Sequence, residues 1–347
     1  LAPELAGASL TKDCVMPNTD DLTGWTVTAA DDDFHAVSDH PWETETFWAS
    51  FIIPERKIDG WFYNQVLANQ GENGQCNGGC FLWGPKDEDP YSHMVHGLVL
   101  PPGPRSLHDV HLPNGNHIRV LDPLRRYAVS YVDEGRFTAD LEFEAIMEPN
   151  PHPAGVAPFW KGRHLDQAMR VTGEVVLLGE RIPIDCYQLR DRSWGPRPPR
   201  IAREANTALE PGAAKTKRPR FVIGYIYGVA SPKDAFLVYT LWNEGERQDL
   251  VTTGYLIRDG VWAHLVSGER KCVVDPARNW IERIECEAVD TLGRTLNVTG
   301  RLVSHQGARG PGNGLFHWTW EGAEGWGENQ GGIADIHQPA GALTHST

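Results

Sequence analysis

Asp191 and Arg197 stand six residues apart around Ser193-Trp194-Gly195-Pro196. Gly195 and Pro196 disfavour a plain strand there, and irregular backbone is where a fold tends to aim side chains. A carboxyl such as Asp191, partly desolvated beside a pocket, has a raised pKa and suits protonation of an alkene or a carbonyl. Arg197 would hold an anionic group or a developing oxyanion through its planar fork. His164, upstream of this block, is the candidate base, with one of the histidines between His93 and His117 as the alternative. The same residues also suit an internal ion pair of Asp191 with Arg197 or Arg192 that braces a barrel mouth, with Trp194 as a plug between domains.

Other polar groups carry weaker signals. His93 and His96, and His108 and His111, give two HxxH spacings, and His117 follows. Residues i and i+3 of a strand point to opposite faces, so neither pair is aligned for a metal unless a turn intervenes. No metal is expected, and a metal-dependent enzyme built on the His93 to His117 region stands as an alternative. Glu142 and Glu144 share one face of an alternating strand: a solvated face is the ordinary reading, and a buried like-charged pair with one member protonated is the alternative if that face lines the barrel. Glu328 reads as structural. Six cysteines lack zinc spacing and read as reduced thiols. Glycine-rich phosphate loops and the Gly-x-Ser-x-Gly elbow are absent, so no organic cofactor is expected.

The elements that must position these groups are strands. Period-two alternation runs through Phe47-Trp48-Ala49-Ser50-Phe51, Leu141 to Met147, Arg170 to Leu178, Phe221 to Val229, Phe236 to Trp242 and Trp280 to Val289. Arg258-Asp259-Gly260-Val261 is a two-residue hairpin signal that makes its flanking strands antiparallel neighbours. Residues 1 to 40 are acidic and loop-like. Glu148 to Trp160 carries four prolines and reads as a connection, with a domain boundary after it, and 198–220 reads as an exposed loop with a short helical turn near Ala202 to Leu209. At 347 residues the chain has room for two cores, and 13 Trp, 36 Gly and 25 Pro suit short strands, tight turns and wide aromatic interiors. Two runs of antiparallel strands follow, and closure into barrels is the favoured way to remove edges. On Phe221 to Tyr227 either face could look inward, so Tyr225, Tyr227, Tyr239 and Trp242 are core or ligand wall on equal terms.

Three blocks carry a resemblance: His164-Leu165-Asp166-Gln167-Ala168-Met169-Arg170-Val171-Thr172-Gly173, Leu189-Arg190-Asp191-Arg192-Ser193-Trp194-Gly195-Pro196-Arg197, and Trp318-Thr319-Trp320-Glu321-Gly322 with Gly325-Trp326-Gly327-Glu328-Asn329-Gln330. Together they resemble bacterial proteins with an Arg-Asp-x-Ser-Trp-Gly-x-Arg motif. That group is similar to the tandem lipocalin-like superfamily of hydroxyneurosporene synthase, kievitone hydratase and fungal decalin-forming cyclases. The resemblance implies an all-β chain of two consecutive antiparallel lipocalin-like β-barrels, taken here as 1–165 with an acidic leader and 166–347. It does not extend to a reaction, because one fold hosts several chemistries.

The expected function is a cofactor-independent lyase or isomerase of the hydratase or dehydratase kind, acting on an apolar terpenoid, steroid or aromatic molecule at the domain junction. Asp191, His164 and Arg197 would do the chemistry, and Trp194, Tyr225, Tyr227, Tyr239 and Trp242 would line the pocket. A binding protein for a hydrophobic small molecule is the alternative from another class. A net charge of −14 argues against nucleic acid as partner, and the longest apolar runs fall short of a membrane span. A cytoplasmic location is expected, and a homodimer is left open.

Overall fold

The computed structural model describes residues 25–85, 89–154, 162–197, 221–307 and 312–337. The predicted loop and helical turn between 198 and 220 lie outside the described residues. Eleven strands come first: β1 (Glu43–Ile53), β2 (Ile58–Leu67), β3 (Gln75–Trp83), β4 (Tyr91–Val99), β5 (Val110–His111), β6 (Asn116–Asp122), β7 (Arg126–Asp133), β8 (Phe137–Ala145), β9 (Asn150–Ala154), β10 (Gly162–Leu177) and β11 (Glu180–Pro196). They form one curled half-barrel sheet in the order β4-β3-β2-β1-β11-β10-β8-β7-β6-β5, with β9 on β10. Eight more follow: β12 (Phe221–Ser231), β13 (Asp234–Asn243), β14 (Asp249–Arg258), β15 (Val261–Asp275), β16 (Trp280–Asp290), β17 (Thr295–His305), β18 (Gly314–Trp320) and β19 (Ala323–Asn329). These close into an antiparallel barrel in chain order. The chain is all-β, consistent with tandem lipocalin-like barrels, and no helix among the described residues is long and apolar enough to cross a membrane.

Two sequence expectations are corrected. The sheets part between β11 and β12, not at 165/166, because β10 and β11 pair into the first sheet, β11 against β1 and β10 against β8. The chain returns to the middle of its first sheet before it starts the second. The proline-rich stretch is also not all connection: β9 pairs with β10 from Asn150↔Asp166 to Ala154↔Gly162. Proline is tolerated there because β9 is an edge, where one row of N–H groups is not needed for the ladder.

Alternation divides the side chains into three layers. Phe47, Ala49 and Phe51 of β1 and Met169, Val171 and Val175 of β10 fill the first curl. Ile226, Phe236, Val238 and Trp318 fill the second barrel. Between them lies a third layer, where Trp48, Trp61 and Trp83 of the first sheet meet Tyr225, Tyr227, Leu237 and Tyr255 on the outside of the barrel. Large apolar side chains on both faces of the first sheet, Phe47 and Phe51 on one and Trp48, Trp61 and Trp83 on the other, are what a doubly covered sheet requires.

Each barrel interior also buries a cation. Arg190, fully buried, pairs with Asp32 at 3.0 Å, and Asp32 also accepts from the Tyr127 hydroxyl and the Leu124 amide. The acidic run read as a loose leader thus contributes a 3-10 turn, Ala29–Asp32, that seals the first curl. In the second barrel Arg270 donates to Asp249 at 2.8 Å and to Asn329 at 3.0 Å. Gly224 leaves room for that guanidinium, since a Cβ there would fall inside contact distance of Arg270 Cζ and Thr240 Oγ1. Gly224→Ala is therefore expected to destabilise the chain by about 1–3 kcal/mol, because Arg270 is held and cannot yield. Denaturant unfolding measures this, and a neutral result would mean that Arg270 is free to shift within the barrel interior.

Candidate functional site

The first sheet brings the candidate residues together by register. Leu178 and Gly179 close the β10–β11 hairpin with φ of 51° and 87°, the positive values a tight two-residue turn demands. From Leu177↔Glu180 the ladder runs without a shift to Arg163↔Trp194, which sets Asp166 opposite Asp191. Asp191 pairs with Trp48 on β1, and Trp48 with Tyr63 on β2. Asp166, Asp191, Trp48 and Tyr63 thus form a row across four strands, on the face turned to the barrel. From the barrel, Tyr225 of β12 and Tyr239 of β13 are a cross-strand pair with ring centroids 4.8 Å apart.

The two surfaces meet in a hydrogen-bonded cluster. His164 Nε2 lies 2.9 Å from Asp166 Oδ1 and 2.9 Å from the Tyr239 hydroxyl. Tyr225 donates to Asp166 Oδ1 and Tyr239 to Asp166 Oδ2, each at 3.0 Å. Asp166 is fully buried, and its oxygens are satisfied from both domains. Asp191 is half-buried, and its carboxyl makes no hydrogen bond to a described residue. Arg192, the proposed alternative partner, points to the other face of β11 and pairs with Glu45 at 2.6 Å.

Burial and neighbouring charges set the proton affinities. Desolvation pushes Asp191 up to about 6; the Asp166 charge adds to that rise, and His164, Arg197 and Arg190 restrain it. Burial lowers His164, but the adjacent Asp166 charge and its hydrogen bond outweigh this and leave the imidazole raised. The hydroxyls of Tyr225 and Tyr239 are pushed well above the usual phenol range by burial and by Asp166. The arrangement therefore holds the proton on His164 more tightly than on a free imidazole, keeps the tyrosines neutral and lets Asp191 titrate at about 6. His164, Asp166 and Asp191 offer donor atoms within 4.8 Å of one another, yet the tyrosine hydroxyls already occupy His164 Nε2 and both Asp166 oxygens. As folded it is a proton-holding network.

The remaining predicted residues fall in different places. Arg197 is exposed at the end of β11, and its charge reaches both His164 and Asp191. Trp194 lies on the opposite face of β11 from Asp191, where it stacks on His35 with centroids 4.0 Å apart and meets Trp25 edge-on. Trp242 likewise points away from Tyr239, packs on Val222 and Ala334, and donates to the Glu246 carbonyl. An odd separation along a strand reverses the face, so neither tryptophan joins the cluster. Tyr227 does face the junction but serves a second polar node. Its hydroxyl lies 2.6 Å from Glu328 Oε1 and 2.8 Å from Gln188 Oε1, and Trp61 Nε1 donates to the same Glu328 oxygen at 2.9 Å. Asp59, fully buried beside this node, has its carboxyl raised by burial and by the neighbouring Glu328 charge. Glu142 and Glu144 are exposed, and the five cysteines among the described residues are free and buried.

Asp166, Trp48 and Asp59 were not singled out from the sequence. For Asp166 the signal was present, since counting outward from the turn at 178–179 sets it opposite Asp191.

Comparison with known proteins bears on the fold. No curated protein sequence matches the chain significantly. Among solved structures, kievitone hydratase from Nectria haematococca is similar with a TM-score of 0.53 and 12% identity, over 89% of this chain and 94% of that one. A putative AttH from Nitrosomonas europaea gives 0.52 and 12%, over 89% and 97%. CghA gives 0.51 and 14%, over 84% and 88%. At such identities the likeness is one of fold. Residues 28–332 match the model of a domain of unknown function, DUF7064, and the chain belongs to that family.

Proposed function

We propose that the protein is a cofactor-independent lyase or isomerase, of the hydratase, dehydratase or cyclase kind, acting by proton transfer on an apolar small molecule at the domain junction. The observation that carries this reading is Asp191, a half-buried carboxyl without a hydrogen-bonding partner among the described residues, set beside a His164–Asp166 pair that two tyrosines complete. Structural carboxylates of ordinary ion pairs are tied up by their partners; this one is held near neutrality and left available. Around it, Trp48, Tyr63 and Tyr239 offer aromatic walls, and Met94, Ile146 and Met147 pack at the edge of the same layer. The buried Trp48 indole N–H, next to Asp191 in the row, has no partner among the described residues and is a donor a ligand oxygen could use.

The preferred protonation states give the roles. Asp191, titrating near 6, is mostly a carboxylate at pH 7 and takes the proton; His164, raised by Asp166, is the imidazolium that gives one. This is the reverse of the polarity read from the sequence. Arg197 contributes positive charge at the rim, which favours a substrate with a carboxylate, phenolate or developing enolate. The distant fold likeness to a hydratase supports the reaction class and says nothing of the substrate.

Incubation with a library of terpenoids, steroids and phenolic compounds, followed by mass spectrometry, tests the reading. The expected result is at least one compound that gains or loses one water or is converted to an isomer of altered retention. Compounds retained but recovered unchanged throughout would overturn catalysis in favour of carriage.

A further inference from the structure

Away from the junction, the far edge of the first sheet holds a second group of donor atoms. His111 on β5 and His117 on β6 are direct cross-strand partners, and their rings stack with centroids 3.6 Å apart and an interplanar angle of 18°. Asp109, just before β5, brings its Oδ1 to 2.7 Å from His117 Nε2. One donor atom from each of the three lies within 4.8 Å of the others. The region is the one whose HxxH spacings stood out in the sequence, but the pair is made by strand register and not by either i, i+3 spacing. His93 stands instead near Tyr131, and His108 approaches the Val120 carbonyl.

Two features make the group more than a chance meeting of surface side chains. The hairpin that carries it is pinned to the sheet: Asn114 and Asn116, both buried, donate to Asn64 Oδ1 of β2 at 2.8 Å and 2.7 Å. Ser130 Oγ of β7 lies 3.4 Å from His117 Nδ1, which turns the opposite nitrogen, Nε2, toward Asp109. A metal-binding histidine is commonly oriented in this way through its second nitrogen, and donors on a rigid element hold their geometry better than donors on a loop.

From this arrangement we propose that Asp109, His111 and His117 form a binding site for a divalent transition-metal ion of the zinc class. Two imidazoles and one carboxylate are borderline ligands that suit Zn²⁺ and its neighbours over Mg²⁺ or Ca²⁺. Three protein donors on an exposed hairpin leave coordination positions open to water or to an anion. The site lies three strands from β10, on the wall of the first curl, and does not depend on the chemistry proposed at the junction.

The test uses the full chain, stripped with a chelator, equilibrated with Zn²⁺ alone and desalted. The expected result is one equivalent of zinc retained by the parent, none by His111→Ala or His117→Ala, and an undiminished equivalent in His93→Ala. Added Zn²⁺ should raise the unfolding temperature of the parent and leave that of the two hairpin variants unchanged, since only a bound ligand stabilises by mass action. A parent that retains no zinc, or hairpin variants that keep the equivalent, would overturn the proposal.

Discussion

Asp191→Asn is expected to lower turnover of an identified substrate by about 10²–10⁴-fold, the usual worth of a positioned general base or acid, while leaving the fold and ligand retention intact. The substitution removes the carboxyl that burial holds at about 6 and replaces it with a neutral group of the same shape. In the parent, activity should rise with pH through about 6 as Asp191 ionises, then fall at higher pH as His164 loses the proton that Asp166 helps it hold. The acid limb should vanish in the variant. Stability moves the other way. A carboxyl raised in the folded state contributes stability that is full below its ordinary range and lost as pH climbs through its folded value. Asp191→Asn escapes that loss, so the variant should be at least as stable as the parent at pH 7. Loss of activity without loss of stability marks a residue kept for chemistry. If Asp191→Asn retains full turnover with the acid limb unchanged, the proton is handled elsewhere.

Much of this architecture was legible because it depends on period-two alternation. The β-strand runs and the Asp259-Gly260 hairpin follow from local pattern, and the hairpin forms with φ of 53° and 77° at those residues. Sheet membership was harder to read. Nothing local distinguishes a strand that starts a new barrel from one that returns to the old, and β10 and β11 return. Faces were legible only in relative terms: Tyr225 and Tyr227 had to point the same way, but which way depends on the first sheet, whose outer face covers them. Trp194 and Trp242 were grouped with the site through proximity in sequence, where strand parity places them on the opposite faces from Asp191 and Tyr239. Asp59 and Glu328 were beyond reach, being 269 residues apart in the chain and joined only when one sheet lies on the other.

That buried carboxyl pair gives the largest expected effect on stability. Glu328 accepts from Tyr227 and Trp61 through one oxygen and from Gln330 through the other, at 3.0 Å. This donor set favours its carboxylate form, so the proton shared by the pair belongs on Asp59, whose carboxyl is driven up by desolvation and by the Glu328 charge. A raised carboxyl is most favourable to folding below its ordinary range, and that contribution drains away as pH rises toward its folded value, because the unfolded chain ionises first. Asp59→Asn supplies the donor permanently. The variant should therefore be more stable than the parent at pH 7 to 8 and little different from it near pH 4. Glu328→Ala should cost about 3–5 kcal/mol at either pH, since it strands the Trp61 N–H and leaves a hole between the domains. Urea unfolding of both variants across pH decides the matter. Should Asp59→Asn prove as damaging as Asp59→Ala at pH 8, the proton does not reside on Asp59, and the layer between the sheets must be held by an ionised pair instead.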